Sequence, residues 1–111
     1  MATAPLNTFK SFAAQLTTSE ETLYTSPSDT TAIILLAQVA NVTNGENEES
    51  ANVTFLTSIN NTELVKNYTI PAGDAASMLT GKLVLEPNES VKGFASSNNS
   101  LKVTLSILET R

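Results

Sequence analysis

Residues 81–108 read GKLVLEPNESVKGFASSNNSLKVTLSIL, and this stretch decides the fold. Three apolar segments alternate with two tight turns, Pro87-Asn88-Glu89-Ser90 and Ser97-Asn98-Asn99-Ser100. The last segment alternates strictly, with Lys102, Thr104 and Ser106 on one side and the following apolar residues on the other: Leu101, Val103, Leu105 and Ile107. Period-two alternation bounded by Asn, Gly, Pro and Ser predicts half-buried antiparallel strands. We expect the four apolar residues to face a core together with Leu83 and Leu85.

The rest of the chain continues this pattern towards the N-terminus. We expect strands over Ala13–Thr18, Glu21–Thr25 and Thr30–Val42, two more at 51–59 and 64–70, and one helical turn or a brief strand over Ala75–Leu79. The predicted fold is therefore all-β, an antiparallel β-sandwich or jelly-roll-like barrel of about seven or eight strands. Residues 13–111 form one domain, and residues 1–12 an extended N-terminal arm.

Composition excludes several kinds of chemistry. The 111 residues contain no cysteine and no histidine, which removes thiol nucleophiles, the usual general base and the commonest zinc ligands. A net charge of −5 with six scattered basic residues argues against nucleic-acid binding. None of the segments reaches the roughly 18 consecutive apolar residues typical of a membrane-spanning helix. We predict no enzymatic activity, no catalytic residue, no cofactor and no metal.

Carboxylates are the remaining candidates for chemistry. Glu86 and Glu89 bracket a turn, and a carboxylate pair about 5 Å apart could support glycoside hydrolysis. With no Trp and few other aromatic residues, the chain is poor in the side chains that line a sugar groove, so solvated turn residues are the preferred interpretation. The acidic loop Asn44–Ser50 could offer oxygen ligands to calcium, but its spacing does not match an EF-hand loop.

Two segments indicate an interface instead. In Thr30–Val42, alternation places Ile34 and Leu36 on one face and a second apolar set on the other: Ile33, Leu35, Ala37 and Val39. A strand that is apolar on both faces is normally covered on both. Either a loop or another subunit therefore covers this face. We expect Ile33, Leu35 and Val39 to contact a neighbouring subunit or another protein, because large apolar patches are rare on monomers.

The arm supplies the other half of the predicted interface. Leu6, Phe9 and Phe12 are bulky and apolar, whereas Pro5 and Asn7 deny them a regular element of their own. Termini are usually disordered unless something holds them. We expect these three side chains to reach a neighbouring subunit or a partner surface.

Two longer segments carry a family resemblance. TLYTSPSDTTAIILLAQVANV at 22–42 and IPAGDAASMLTGKLVLEPNESVKGFASSNNSLKVTLSILE at 70–109 resemble small virion structural proteins of tailed bacteriophages, especially phages of cyanobacteria and other marine bacteria. The resemblance covers about residues 17–109. It implies a β-sandwich that serves as a building block of the phage particle, on the head, the neck or the tail.

The resemblance and the missing catalytic groups predict a non-enzymatic virion protein, foremost a capsid decoration (cement) protein that stabilises the outer shell. The alternatives are a neck or tail component, such as a fibre-attachment adaptor, and a carbohydrate-binding module for host adhesion. The expected partners are the major capsid protein or other virion proteins and further copies of the chain, as a trimer or dimer. A cysteine-free chain fits assembly in the reducing cytoplasm of a bacterial host.

Overall fold

The structure, a computed structural model, describes residues 7–43 and 50–111. In these ranges the chain forms strands joined by turns and one 3₁₀ turn, Ile59–Asn61. The strands are β1 (Asn7–Gln15), β2 (Glu21–Thr25), β3 (Thr31–Asn41), β4 (Ala51–Thr57), β5 (Thr62–Ile70), β6 (Ala75–Ser77), β7 (Leu83–Leu85), β8 (Ser90–Ala95) and β9 (Leu101–Thr110). The all-β prediction is confirmed, and the Ala75–Leu79 segment contains a brief strand.

The strands form two antiparallel sheets. The first sheet has the order β1-β9-β3-β6, and β7 pairs with the other half of β3. The second sheet has the order β2-β8-β4-β5. Because β6 and β7 lie along the same side of β3, they occupy one strand position, and each sheet has four positions. This order, with the first and last strands side by side in one sheet, is that of a jelly-roll sandwich.

The core lies between the two sheets. The four alternating residues of β9, Leu101 to Ile107, are at most 1% exposed, as the sequence predicts. They belong to one apolar cluster with Leu85 and with Phe55 of the second sheet, and Leu83 packs against its border. Gly93 of β8 leaves room for a side chain of the neighbouring strand β2, since a Cβ there would lie 3.2 Å from Leu23 Cδ1.

Asn and Asp residues occupy the left-handed positions of the predicted turns between strands. Asp29, Asn88 and Asn99 all have positive φ, at 60°, 70° and 66°. These residue types adopt the left-handed region at lower cost than other side chains, because they hydrogen-bond to the nearby backbone. The turns that the sequence marked therefore have a local cause that does not depend on the sheets around them.

The first strand begins earlier than predicted. It runs from Asn7 to Gln15 and pairs with β9 along its whole length, from Asn7 opposite Thr110 to Gln15 opposite Lys102. For Asn7–Phe12, the expectation of an arm without regular structure is wrong. The cause is tertiary, because the free edge of β9 provides backbone partners to a segment whose own side chains are mostly exposed. Leu6 lies outside the described residues.

A β-bulge in β3 overturns the predicted alternation. Its register against β9 shifts between Ile34 and Leu36, so Ile34 and Ala37 both face the core. Beyond the bulge, the inward positions become Ala37 and Val39. Val39 is 0% exposed and cannot belong to an exposed second face. One extra residue in a strand moves every later side chain to the opposite face.

Candidate assembly surface

An apolar row crosses the outer face of the first sheet. Phe9 of β1 lies opposite Leu108 of β9, Leu108 lies opposite Ile33 of β3, and Ile33 lies opposite Val84 of β7. Directly opposite residues of antiparallel strands point to the same face and contact one another. The row faces outward because the residues before and after Leu108, Ile107 and Glu109, are both buried in the sandwich.

The apolar row is most exposed at its two ends. Phe9 is 74% and Val84 is 52% exposed, while Leu108 and Ile33 are half-buried between them. The bulge in β3 adds Leu35, which is half-buried, and Leu36, which is exposed. A contiguous exposed apolar surface of this kind is more typical of an interaction site than scattered single residues are.

A shallow depression of about 300 Å³ lies beside the row. Its lining residues come from three adjacent strands of the first sheet, β1, β9 and β3: Phe9, Lys10, Ser11, Leu35, Ser106 and Ile107. The Ser11–Ser106 pair forms part of the lining because these small residues lie opposite each other in β1 and β9. A depression of this size is large enough for one apolar side chain of a partner, the arrangement usual at the centre of an interface.

The outer face of the first sheet is almost uncharged. Among the described residues of β1, β3, β6, β7 and β9, the register directs one charged side chain outward, Lys102. The chain as a whole carries a net charge of −5, so its acidic residues are concentrated elsewhere. Glu109, the acidic residue of β9, is 8% exposed and faces the interior. Among the described residues of these strands, no acidic side chain points outward.

A partly buried ionic cluster connects β1 with β9 and with the second sheet. The hydroxyl of Tyr24, on β2, donates a hydrogen bond to Oε2 of Glu109, on β9. Nζ of Lys10, on β1, lies 3.1 Å from Oε1 of the same carboxylate. Glu109 therefore connects the edge strand β1 with the second sheet. Charge-assisted hydrogen bonds of this kind are among the strongest polar contacts in proteins.

The cluster perturbs both acidic groups. Burial, reinforced by the hydrogen bond to Glu109, raises the pKa of the Tyr24 hydroxyl above its usual range. The hydrogen bond from Tyr24, aided by Lys10, lowers the pKa of Glu109 although burial opposes it. Glu109 is thus held as a carboxylate and Tyr24 as a neutral phenol, which suits a structural tie between strands.

The predicted interface residues are only partly brought together. Phe9, Ile33 and Leu35 share the outer face of the first sheet. Phe12 lies opposite the buried Leu105, so it points to the inner side of the open edge, where it is 38% exposed. Val39 belongs to the core.

Sequence analysis missed Leu108 and Val84. For Leu108 a signal existed: the alternation that places Lys102, Thr104 and Ser106 outward places Leu108 outward as well. Val84 lies on β7, a three-residue strand that is too short for its own alternation to assign a face. Its outward position follows from its pairing with Ile33.

The candidate catalytic carboxylates act as turn residues. The backbone N–H of Glu86 donates to Oε1 of Glu89 at 2.8 Å, and the N–H of Glu89 donates to the carbonyl of Glu86 at 3.0 Å. Within residues 7–43 and 50–111, no three His, Cys, Asp or Glu side chains are grouped so as to hold a metal. Glu46, Glu48 and Glu49, the candidate calcium ligands, lie outside the described residues. In the same ranges, no helix is long and apolar enough to span a membrane.

Comparisons with known proteins support the fold. No protein-family model matches the chain, and a search of curated proteins gives no match. Among solved structures, the chain is similar to one from the acid-stable capsid of Helicobacter pylori bacteriophage KHP30, with TM-score 0.60 and 14% identity over 97% of this chain and 92% of that one. It also resembles a chain from the disulfide-linked pili of Bacillus endospores, with TM-score 0.50 and 10% identity over 96% and 86%.

A looser likeness, with TM-score 0.46 and 14% identity, is found to a chain of infectious bursal disease virus Gx strain, over 96% of this chain and 32% of that chain. At these identities, the matches to the phage capsid and pilus chains show a shared fold. The protein is a jelly-roll sandwich whose architecture is also found in a phage capsid.

Proposed function

We propose that the protein is a non-enzymatic structural component of a bacteriophage virion, and specifically a decoration protein that binds the outside of the capsid and stabilises it. The observation that carries the proposal is the outer face of the first sheet, which is almost uncharged and has an apolar row from Phe9 to Val84. Fully burying an aliphatic or aromatic side chain contributes about 1.5–3 kcal/mol, so covering this row can offset a substantial part of the cost of association.

The comparisons favour a capsid setting for this surface. The fold shared with a chain from a phage capsid extends over 97% of this chain and 92% of that one. The pilus chain comes from an assembly linked by disulfides, and this protein has no cysteine with which to form them. The resemblance of residues 17–109 to phage virion proteins points in the same direction. The partners in this proposal are the major capsid protein and neighbouring copies of the chain.

The two alternative functions, a neck or tail component and a carbohydrate-binding module, would use different surface residues. A neck or tail component would use the same apolar face in a single ring of copies. A carbohydrate-binding module needs exposed aromatic side chains that can also form hydrogen bonds. Tyr24 is engaged by Glu109, while Tyr68 on β5 is 51% exposed. Phe9, more exposed than either, has no polar group, which favours a protein partner over a sugar.

Reconstitution on particles tests the proposal. Phage particles assembled without this protein are mixed with the wild-type chain, with Val84→Ser, or with the matched control Tyr68→Ser on the other sheet. We expect wild type and Tyr68→Ser to bind in numbers that scale with the capsid subunits and to raise the temperature at which the shell opens. Val84→Ser should bind more weakly.

The number of bound copies, from quantitative mass spectrometry, separates the alternatives. A single ring of copies would replace decoration by the neck or tail role. Failure of the wild-type chain to bind any part of the particle would refute a virion function. Loss of binding in Tyr68→Ser but not in Val84→Ser would assign the contact to the second sheet.

A further inference from the structure

In the part of the chain that the structure describes, the sandwich has four edge positions, and only one of them is long and regular. β1 pairs with β9 over nine consecutive residue pairs without a register shift. β5 is equally long but has two shifts against β4 and a left-handed residue, Asn67. β2 has five residues and one shift, and β6 and β7 have three residues each. Short length, bulges and irregularity are how proteins keep edge strands from pairing with other chains.

β1 lacks these protections. Its sequence, NTFKSFAAQ, contains no proline and a single charge, Lys10. An inward-pointing lysine can itself block an edge. Here Glu109 of the same chain holds the ammonium group at 3.1 Å, which leaves less of its charge to oppose an incoming strand. The edge is therefore available for an added strand.

The hydrogen-bond pattern identifies the residues that would receive such a strand. The backbone N–H of Leu16 donates to the carbonyl of Leu101 at 2.9 Å, which continues the β1–β9 register by one pair. In antiparallel strands, residues that exchange hydrogen bonds alternate with residues that do not. Even-numbered residues of β1 therefore bond to β9, and odd-numbered residues direct N–H and C=O away from the sheet. Phe9, Ser11 and Ala13 are among these outward-directed residues.

We propose that β1 pairs antiparallel with β1 of a second copy of the chain, with the two-fold axis at Ser11, so that two first sheets become one continuous sheet. This register pairs odd positions with odd positions, as the outward-directed groups require. Ser11 is also the midpoint of Asn7–Gln15, so all five outward-directed residues on each strand find partners and about ten backbone hydrogen bonds form.

Side-chain chemistry favours the same register. With the axis at Ser11, Phe9 lies opposite Ala13 of the partner subunit, and the large ring meets a small side chain. Lys10 lies opposite Phe12 of the partner subunit rather than opposite another charge. Moving the axis to residue 10 would place two lysines face to face, and like charges directly opposite are destabilising. A second copy fits this edge because the strand is complementary to itself.

The two-fold axis gives a cross-linking test on the isolated protein. The chain has no native cysteine, so any disulfide that forms in a single-cysteine variant must join the introduced thiols of two copies. In the proposed register the two Ser11 Cα atoms lie about 5.5 Å apart, within the range that a disulfide spans. Ser11→Cys should form a disulfide-linked dimer under mild oxidation.

Ala13→Cys is the matched control, on the same strand and the same face. In this register its two copies lie about 14 Å apart, too far for a disulfide. We expect no cross-link. Equal cross-linking of both variants, or of neither, overturns the proposal.

A second variant tests pairing without a thiol. Ser11 directs its N–H outward, so Ser11→Pro removes a hydrogen bond of the proposed pairing and none of the β1–β9 ladder. We expect the wild-type chain to sediment as a dimer and Ser11→Pro as a folded monomer. A monomeric wild-type chain would overturn the proposal, and so would a Ser11→Pro variant that folds and remains dimeric.

These experiments can reject β1 pairing without rejecting the virion function, and the reverse. Dimer formation in the isolated chain does not depend on any particle, so the proposal stands if the protein proves not to be a virion component. If the isolated chain is monomeric and Ser11→Pro fails to bind particles, β1 receives a strand of a shell protein. That outcome rejects the second copy as the occupant while keeping the virion function.

Discussion

The two sheets present different rows of residues at their outer faces. Across the first sheet the row is apolar from end to end, from Phe9 to Val84. Across the second sheet the corresponding row carries charges of both signs, and its apolar member, Leu56, is buried: Thr22, Lys92, Leu56 and Glu63. Both sheets bury apolar inner faces in one core, so folding alone does not account for the contrast. The difference fits the proposal that a partner covers the first sheet.

Surface ion pairing follows the same division. Nζ of Lys92, in the outer row of the second sheet, lies 4.0 Å from Oε2 of the half-exposed Glu20. On the first sheet, in contrast, Lys10 and Glu109 point away from the outer face. Glu109 contacts Lys10 and accepts a hydrogen bond from Tyr24. Lys10 and Glu109 thus pair with each other within the subunit, and neither side chain lies on the outer face of the first sheet.

The largest effect is expected from the inner side of β9. Replacing Leu105, which is 0% exposed, with Ala removes core contacts and leaves a cavity, at a cost of about 2–5 kcal/mol in the free energy of unfolding. Leu108, on the same strand but in the outer row, is the control: Leu108→Ala should cost clearly less. Urea unfolding followed by circular dichroism measures both. Equal losses would mean that the apolar row is as important for folding as the core.

The next largest effect on stability is expected in the cluster of Tyr24, Glu109 and Lys10. Tyr24→Phe removes the hydroxyl that donates to the Glu109 carboxylate and should cost about 1–3 kcal/mol. The Lys10–Glu109 contact remains in this variant and serves as an internal reference. Thermal unfolding at neutral pH measures the change. An unchanged unfolding temperature would show that the second sheet does not depend on this tie to β9.

The same cluster gives a direction for the effect of acid. The folded-state pKa of Glu109 lies below its ordinary value, so the folded state binds fewer protons than the unfolded state in mild acid. Its contribution to stability is therefore present above the ordinary pKa of a glutamate and is lost as the pH falls through the folded-state value. Glu109→Gln should flatten this acid-dependent loss. A variant with the wild-type pH dependence would contradict the assignment.

A smaller effect on stability is expected in the apolar row itself. Val84→Lys introduces into the first sheet the kind of charge that Lys92 provides in the second. Because Val84 is 52% exposed, the free energy of unfolding should change by no more than about 0.5 kcal/mol. Binding of a dye specific for apolar surfaces should fall. Unchanged dye binding would mean that the row is not the apolar surface that the isolated protein exposes.

The smallest change should come from the outer ion pair of the second sheet. Glu20→Gln removes a contact of 4.0 Å between partly exposed groups, and many surface ion pairs contribute nothing measurable to stability. We expect a shift in the unfolding midpoint close to the error of measurement, and none at high salt. A loss comparable to that of Tyr24→Phe would contradict the view that this face serves only to meet solvent.

Prediction from sequence succeeded where the cause is local. The inward set of β9 follows from alternation alone, and the turns at Asp29, Asn88 and Asn99 follow from side chains that tolerate positive φ. Of the candidate interface, Phe9, Ile33 and Leu35 were identified from their apolar character. Val39 was misplaced because a bulge is set by the register between two strands, and neither strand's sequence displays it.

By itself, the sequence determined that this protein is an all-β domain without cysteine or histidine chemistry, because period-two patterns and residue inventory are properties of the chain. Tertiary structure decided which strands are neighbours, and hence that Phe9, Leu108, Ile33 and Val84 form one row although they are far apart in sequence. It also decided that Asn7–Phe12 form a strand, since the hydrogen-bond partners of β1 belong to β9, at the other end of the chain. Pairing across such distances depends on the free energy of the whole sandwich, which no local pattern encodes.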